Sequence, residues 1–312
     1  MQRTQLKTGP YGLGSMIHVV HMTDDVPELN RFYEEVLGGL MYMGVDEPTY
    51  LPSEDRLAGL VVISDLCIET MAPKMPADPV KPVGKFYTKF GQHLHSVGYK
   101  VDDLVGLGNA LIEKGVYIGA PGGGRLDRID PDTVYFYPSP RDTSGLMVEL
   151  CNREMRNDPR LLDTWSSQVK FWELSHPLGI SRLAHITLGV QDLDAAVARY
   201  VGLFDAELVH GGTDDAEGAR FQIVHLGDCL LRLAQPLEAG TPLGMHVARW
   251  GNMIYGITFK VHDLGAAESW LAKKNVRTSR PGPDLVATDP ADTFGAPYFF
   301  STARIPNDPF GG

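Results

Sequence analysis

A histidine near the start of a short apolar strand occurs twice in this chain, each time in the same setting. His18 lies in IHVVHM and His185 in AHITLGV, 167 residues later, and an Asp follows each of them by seven positions. A strand-borne imidazole that points into a cavity is a frequent ligand for a divalent metal ion. Since a lone strand histidine more often packs in a core, the metal-ligand interpretation requires further donors.

Each histidine opens the same order of elements. The apolar strand meets an Asp, and the amphipathic segment Val26 to Leu37 that follows in the first copy predicts a helix of about three turns. Three strands are then expected at Leu40 to Met43, Leu57 to Ile63 and Leu66 to Met71. The same order recurs from Gly91, with its three strands expected at Val116 to Ile118, Thr133 to Tyr137 and Leu146 to Leu150.

The second half of the chain repeats the first half. GQHLHSVGYKVDDL at residues 91–104 matches GNMIYGITFKVHDL at 251–264 without a gap, and DTSGLMVEL at 142–150 matches DTFGAPYFF at 292–300. Matches that keep their order over the whole length indicate a duplication. The sequence predicts a first module at 1–156, a linker at 157–180 with an apolar side that packs on a module, and a second module at 181–312.

Composition restricts the partners of this chain. A length of 312 residues is enough for two ordinary domains or one large one, and a content of 43% hydrophobic and 21% charged residues is typical of a soluble globular protein. The net charge of -11 argues against nucleic acid and anionic membranes, and no apolar run is long enough to span a bilayer. The absence of an apolar signal core and three cysteines that do not pair by spacing favour a cytoplasmic protein. We expect a small-molecule substrate and a monomer or homodimer.

The strand with His, the Asp seven residues later and the helix ending in Phe-Tyr or Arg-Tyr resemble the vicinal oxygen chelate superfamily. That group includes glyoxalase I, extradiol dioxygenases, methylmalonyl-CoA epimerase and bleomycin-binding proteins. The resemblance implies an α+β fold of two tandem modules, each built of two βαβββ units that form a curved mixed-sheet cup. It also implies a divalent metal inside a cup, chelated by vicinal oxygens of the substrate. The scaffold hosts many reactions, so the reaction does not follow from it.

The resemblance places a set of metal ligands in the first module. Its first-strand histidine falls on His18, its fourth-strand glutamate on Glu69 and its eighth-strand glutamate on Glu149. Either glutamate could also act as the catalytic base. Imidazole and carboxylates suit Fe, Mn, Zn, Ni, Co or Mg, and the donor list does not identify the ion. The same positions of the second module hold residues that offer a cation no complete site: His185, Arg232 and Phe299.

The fifth-strand ligand is where the sequence departs from the family pattern. Counting from the end of the strand places Ser96 at the ligand position, with His95 beside it. Because side chains alternate across a strand, Ser96 should face the cup and the substrate, and His95 should face away. A one-residue bulge would turn His95 inward as the fourth metal ligand. Both arrangements remain open at this point.

Three more residues are expected to contact the substrate. Tyr135 and Tyr137 lie on a predicted strand, where at least one ring should face the cup and stack on an aromatic substrate. Ordinary sheet packing would explain them equally well. The Gly-rich stretch at 122–124 lacks the Lys-Ser/Thr of a phosphate loop and predicts a flexible loop over the cup. Arg125, which follows it, would help to bind an anionic substrate.

Three functions fit these residues. The first is a metal-dependent lyase or isomerase of the glyoxalase or epimerase sort, with the metal as a Lewis acid. The second is an extradiol-type ring-cleaving dioxygenase with Fe(II), which would use His18, His95 and Glu149 and so needs the bulge. The third is a metal-free protein that binds or sequesters a small molecule, suggested by the altered fifth-strand position and second module.

Overall fold

The computed structural model describes residues 6–311, which form two curled, mixed β-sheets of 10 and 8 strands. The part of the chain that builds the first sheet is here called module one. Its elements are β1 Leu13–Met22, α1 Val26–Leu37, β2 Leu40–Met43, β3 Thr49–Leu51, β4 Arg56–Ile63, β5 Leu66–Pro73, α2 Pro82–Phe90, β6 His93–Val101, α3 Leu104–Glu113, β7 Ile118–Gly119, β8 Arg125–Leu126, β9 Tyr135–Pro138 and β10 Met147–Cys151.

A linker with a 3-10 turn at Pro159–Leu161 and two short helices, α4 Trp165–Gln168 and α5 Lys170–Leu174, leads to the second sheet, here called module two. Its elements are β11 Ile180–Gly189, α6 Leu193–Phe204, β12 Glu207–Asp214, β13 Ala219–Leu226, β14 Cys229–Pro236, α7 Pro242–Trp250, β15 Met253–Val261, α8 Leu264–Lys273, β16 Thr278–Gly282, β17 Leu285–Thr288, a 3-10 turn Pro290–Asp292 and β18 Tyr298–Ser301. The order strand, helix, three strands thus occurs twice in module two, and module one repeats it twice with one additional short strand each time, β3 and β8. The predicted α+β tandem of curved-sheet modules is confirmed.

Each helix that follows a repeated histidine strand begins at the predicted Asp. The carboxylate of Asp25 accepts a hydrogen bond from the amide of Glu28, and that of Asp192 accepts one from the amide of Ala195. Such a cap contributes about 1 kcal/mol to helix stability. Helix α1 ends at Gly38, where the φ of 67° is left-handed and favours glycine. The caps fix where the chain turns away from each histidine strand.

Four central strands of module one carry the predicted metal ligands. Strand β1 pairs with β5 in parallel and with β6 in antiparallel orientation, and β10 pairs with β6 in parallel. In this register His18 lies opposite Gly98, and Gly98 lies opposite Glu149. Val20, two residues beyond His18, lies opposite Glu69. Because side chains alternate along a strand, the three predicted ligands share one face of the sheet.

Strand β6 contains the bulge that the sequence left open. Ser96 and Leu94 pair with successive residues of β1, so His95 is the extra residue between them. The same irregularity recurs in module two at Tyr255. The expectation from simple alternation, that His95 faces away from the cup, is therefore wrong, because a bulge re-aims the side chain of the inserted residue.

The two modules hold each other through reciprocal hydrogen bonds. The carboxylate of Asp65 accepts from the amide of Leu183 at 2.6 Å, and that of Asp228 accepts from the amide of Met16 at 2.5 Å. A single hydrophobic core also runs through both modules. Module two therefore fixes the beginning of β1, two residues before His18.

The linker packs on the core shared by both modules through Trp165 and Trp172, which are buried, whereas its apolar residues Leu161, Leu162 and Phe171 are exposed. Arg160 forms a buried ion pair with Asp158 and donates to the carbonyl of Ile17 at 2.6 Å. This pair anchors the linker to β1 immediately beside the predicted metal-ligand histidine.

Two further expectations concern the chain as a whole. All three cysteines are buried and lie in strands, as their apolar surroundings predict. Among residues 6–311, no helix is both long enough and apolar enough to cross a membrane.

Candidate functional site

His18 lies at the centre of the site in module one. Its side chain is 3% exposed, and its Nε2 atom lies 3.5 Å from Glu69 Oε2 and 4.0 Å from Glu149 Oε2. The ring packs over Gly98, where a Cβ atom would come within 3.0 Å of Nε2. Both ring nitrogens are buried without a hydrogen-bond partner. A buried polar atom without a hydrogen-bond partner lowers the stability of the fold, so the geometry points to a group that binds these nitrogens.

Arg56 on β4 holds Glu69 from the side opposite His18. Its Nη1 atom donates to Glu69 Oε1, and its Nε atom donates to Glu54 Oε2 at 2.8 Å. Burial alone would raise the pKa of Glu69, but the charges of Arg56 and His18 outweigh burial and lower it. Glu69 is therefore an ionised carboxylate whose second oxygen, Oε2, faces His18. Sequence reasoning missed Arg56, although a charged residue that opens an apolar strand was a usable signal.

Glu149 on β10 has the opposite shift. Burial raises its pKa, and the Glu69 carboxylate adds to the rise. The hydroxyl of Tyr137 donates to Glu149 Oε2 at 3.0 Å, and burial together with the Glu149 charge raises the pKa of Tyr137. Two carboxyl groups whose pKa values are pushed apart are the arrangement that proton-transfer sites use.

His95 and Ser96 both line the cavity in front of these residues, as a result of the bulge. His95 Nδ1 lies 2.8 Å from Ser96 Oγ, and its ring packs edge-on against Phe86 at 4.4 Å. Burial and the positive charge of Arg56 lower the pKa of His95 to about 3. The imidazole is therefore neutral at pH 7, which is the form that binds a metal ion.

The cavity has a volume of about 310 Å³ and is enclosed mostly by apolar residues. Its apolar walls include Val20, Met71, Val83 and Met147. The loop at Gly122–Gly124 borders it, as the sequence predicts for a loop over the cup. A small molecule with an apolar body fits such walls, while its polar atoms would face the carboxylates.

Of the remaining residues predicted to contact the substrate, some line the cavity and others do not. Tyr137 lines the cavity, whereas Tyr135 does not line it and donates to Glu54 at 3.3 Å. Arg125 is 57% exposed, pairs with Asp127 at 2.8 Å and is not part of the cavity wall. The structure thus brings one tyrosine into the site and leaves the arginine outside it.

The donor types of module one are those that divalent cations bind. As the side chains stand, no group of three His, Cys, Asp or Glu residues within residues 6–311 is placed so that it could hold a metal ion. Ligand atoms bound at about 2.1 Å to one ion lie roughly 3.0–4.2 Å from each other, however. The distances from His18 Nε2 to the two carboxylates, 3.5 and 4.0 Å, fall in this range. Arg56 occupies only the outer oxygen of Glu69, as partners of metal-ligating carboxylates do.

Module two places a guanidinium where module one has Glu69. Arg232 is buried and pairs with Asp214 at 3.0 Å and with Glu217 at 2.5 Å. Burial and the charge of Arg232 lower the pKa of His185 to about 3. Phe299 stands where Glu149 would be needed. The described residues of this cup contain one predicted ligand and a fixed positive charge, so they do not fit a cation.

Comparison with known proteins supports this organisation. The family model Glyoxalase/Bleomycin resistance protein/Dioxygenase superfamily matches residues 15–150 and 182–311. An ethylmalonyl-CoA/methylmalonyl-CoA epimerase of Cereibacter sphaeroides is 29% identical over 104 residues, which are 33% of this chain and 78% of that protein.

Solved structures include methylmalonyl-CoA epimerase from Mycobacterium tuberculosis, with 24% identity and a TM-score of 0.37 over 39% of this chain and 87% of that one. A variant of 4-hydroxymandelate synthase from Streptomyces coelicolor aligns over 94% of each chain, with 14% identity and a TM-score of 0.60. The latter similarity concerns the fold alone, and it extends through both modules.

Proposed function

The chain belongs to the Glyoxalase/Bleomycin resistance protein/Dioxygenase superfamily, and on this basis we propose that it is a metal-dependent lyase or isomerase. Its active site is the cup of module one. The observation that carries the proposal is the convergence of Glu69 and Glu149 on His18, whose ring nitrogens are buried without partners. The substrate is a small oxygenated molecule that fits a cavity of about 310 Å³.

The residues that would hold the ion are His18 through Nε2, Glu69 through Oε2, and Glu149. His95 or an oxygen of the substrate would fill a further position. When bound, the metal supplies a Lewis acid that polarises a carbonyl or hydroxyl oxygen. Arg56 keeps Glu69 ionised and oriented, because it binds the carboxylate oxygen that faces away from His18.

Glu149 is the residue we assign to proton transfer. Burial raises its pKa, and a carboxyl group shifted toward neutral pH can both take up and return a proton during turnover. Tyr137 orients this carboxyl through its hydrogen bond of 3.0 Å. The similarity to a protein named as an epimerase agrees with chemistry in which a proton is removed beside a carbonyl group and then returned.

A second candidate is a ring-cleaving dioxygenase that uses Fe(II). The bulge in β6 favours it, because it brings His95 to the cavity wall shared with Glu149. His18, His95 and Glu149 would then form a set of two histidines and one carboxylate, which is typical of non-haem Fe(II) oxygenases.

Elemental analysis of the full chain, purified without chelators, tests the proposal. We expect about one equivalent of a divalent transition metal, lost in His18→Ala and retained in the matched module-two variant His185→Ala. Circular dichroism verifies that both variants fold. If no metal binds even after soaking, the proposal is wrong and the metal-free binding protein takes its place.

The reaction class is tested on the metal-loaded protein. Incorporation of solvent deuterium into methylmalonyl-CoA and other compounds with an acidic C–H beside a carbonyl, followed by NMR, is expected for the lyase or isomerase. Iron in the purified protein and oxygen uptake with catechols would instead establish the dioxygenase.

A further inference from the structure

Module two contains a cavity at the place that corresponds to the module-one site. The volume of this module-two cavity is about 530 Å³. Tyr255 and Phe299 line it, and the repeat aligns them with His95 and Glu149. Tyr255 is also the inserted residue of the β15 bulge, as His95 is in β6. The duplication has therefore kept a side chain aimed into each cup while changing its chemistry.

The walls of the module-two cavity suit a flat apolar body. Phe299 and Tyr255 lie with ring centroids 5.6 Å apart and planes inclined by 45°. Pro242, Leu243 and Pro297 line the cavity around these rings. Aromatic and proline surfaces of this kind bind planar hydrocarbon groups through burial of apolar area and ring contacts.

The hydroxyl of Tyr255 is a polar group in the wall of the module-two cavity. The residue is 8% exposed, and its side chain contacts the rings of His246 and Phe299. Within residues 6–311 its hydroxyl makes no hydrogen bond. Burial and the Glu217 charge raise its pKa, so it is an O–H donor at neutral pH. Since Tyr255 lines the cavity, an oxygen atom of a bound molecule can accept the hydrogen bond of this hydroxyl.

The charges around the module-two cavity exclude one class of ligand. Glu217, which lines it, pairs with Arg232, and Asp214 also pairs with this arginine. At its edge Arg277 is engaged by Asp289 at 2.9 Å and by Asp292 at 2.8 Å. Both guanidinium groups are thus already paired, and the four carboxylates exceed them in charge. A carboxylate or phosphate ligand would meet net repulsion.

We propose that the module-two cavity binds a neutral aromatic compound carrying a carbonyl or ether oxygen. The ring stacks on Phe299, and the oxygen accepts the hydrogen bond of Tyr255. This second site needs no metal and shares no residue with the metal site of module one, so it stands or falls independently of the proposed reaction.

Two probes of equal shape test the proposal: acetophenone, which is neutral with a carbonyl acceptor, and benzoate, which carries a carboxylate. Binding to the full chain is followed by ligand-observed NMR titration. We expect acetophenone to bind at least tenfold more tightly than benzoate. Tyr255→Phe should weaken acetophenone binding roughly three- to tenfold, as loss of one hydrogen bond does, and Phe299→Ala should weaken it more than tenfold.

Tyr137→Phe is the matched control, since it removes a tyrosine hydroxyl from the other cup and should leave acetophenone binding unchanged. His18→Ala should leave it unchanged as well. Equal affinity for benzoate, no binding of acetophenone, or a loss in Tyr137→Phe as large as that in Tyr255→Phe would each overturn the proposal. Thermal unfolding of every variant separates a lost contact from a lost fold.

Discussion

The two cups share a backbone and a histidine but carry ion pairs of opposite polarity. In module one Glu69 lies on the strand beside the histidine and is held by Arg56 from the neighbouring strand. In module two Arg232 occupies the equivalent strand position, and its partners Asp214 and Glu217 come from the adjoining hairpin. Each buried charge has a counter-charge, as burial demands.

This inversion shows that the fold requires only a paired buried charge, whereas the proposed metal site requires that the charge beside the histidine be negative. Either polarity satisfies the requirement that a buried charge be paired, so the scaffold tolerates both. Only the module-one polarity leaves carboxylate oxygens facing a histidine. The presence of Phe299 at the position aligned with Glu149 completes the change from the proposed cation site to an aromatic cavity.

The largest expected effect is the loss of stability when the arginine of either buried ion pair is replaced. In protein kept free of metal by a chelator, Arg56→Met leaves the 5% exposed Glu69 carboxylate without its partner and should cost about 3–5 kcal/mol of unfolding free energy. Arg232→Met should cost less, because the side chains of its partners Asp214 and Glu217 are 31% and 11% exposed and reach water better than Glu69 does. Urea unfolding measures both, and a greater loss in Arg232→Met would contradict the comparison.

Metal affinity should distinguish Glu149 on β10 from the aligned Phe299 on β18. Glu149→Gln should weaken binding of a divalent metal at least about 100-fold, since it removes a charged donor. Phe299→Leu should leave the affinity unchanged, because the site is in module one. Competition with a chromogenic chelator measures both constants, and an equal loss from the two variants would eliminate the single-site interpretation.

A third contrast is the pH dependence of stability. Burial lowers the pKa of His21 to about 4, from 6.5, and the aligned residue of module two is Leu188. The neutral form is favoured by folding, so this contribution is complete above pH 6.5 and is lost as pH falls toward 4. Between pH 7 and 4.5, His21→Leu should lose roughly 2–3 kcal/mol less stability than the unaltered chain.

Urea unfolding at the two pH values tests this expectation. Other buried histidines contribute equally to both proteins and cancel in the difference. An identical loss in the variant would show that His21 does not sense acid.

The smallest expected effect concerns the glycine under His18. A Cβ at Gly98 would meet the imidazole at 3.0 Å, whereas module two carries Thr258 at the aligned position, opposite His185. Gly98→Ala should shift the His18 ring and weaken metal binding about tenfold, as indirect changes of ligand orientation do. Metal titration of Gly98→Ala against the surface variant Gly202→Ala, where a Cβ meets nothing within 4 Å, is the measurement, and no difference would show that the ring adapts.

The sequence by itself determined the duplication and the order of elements, and it predicted three site residues. Helix α1 and strand β2 have the predicted bounds, because capping and hydrophobic period are local properties. The match to a known family pattern placed His18, Glu69 and Glu149, and the structure brings these three together.

The tertiary structure alone decided which groups meet across strands. The bulge at His95 depends on how β6 pairs with β1, and the contact of Arg56 with Glu69 depends on the register of a hairpin. The tertiary structure also shows that Tyr137 lines the cavity and that Arg125 lies outside it, with its side chain exposed. These features follow from non-local pairing, where a shift of one residue reverses the face of every side chain, and local sequence patterns do not encode that register.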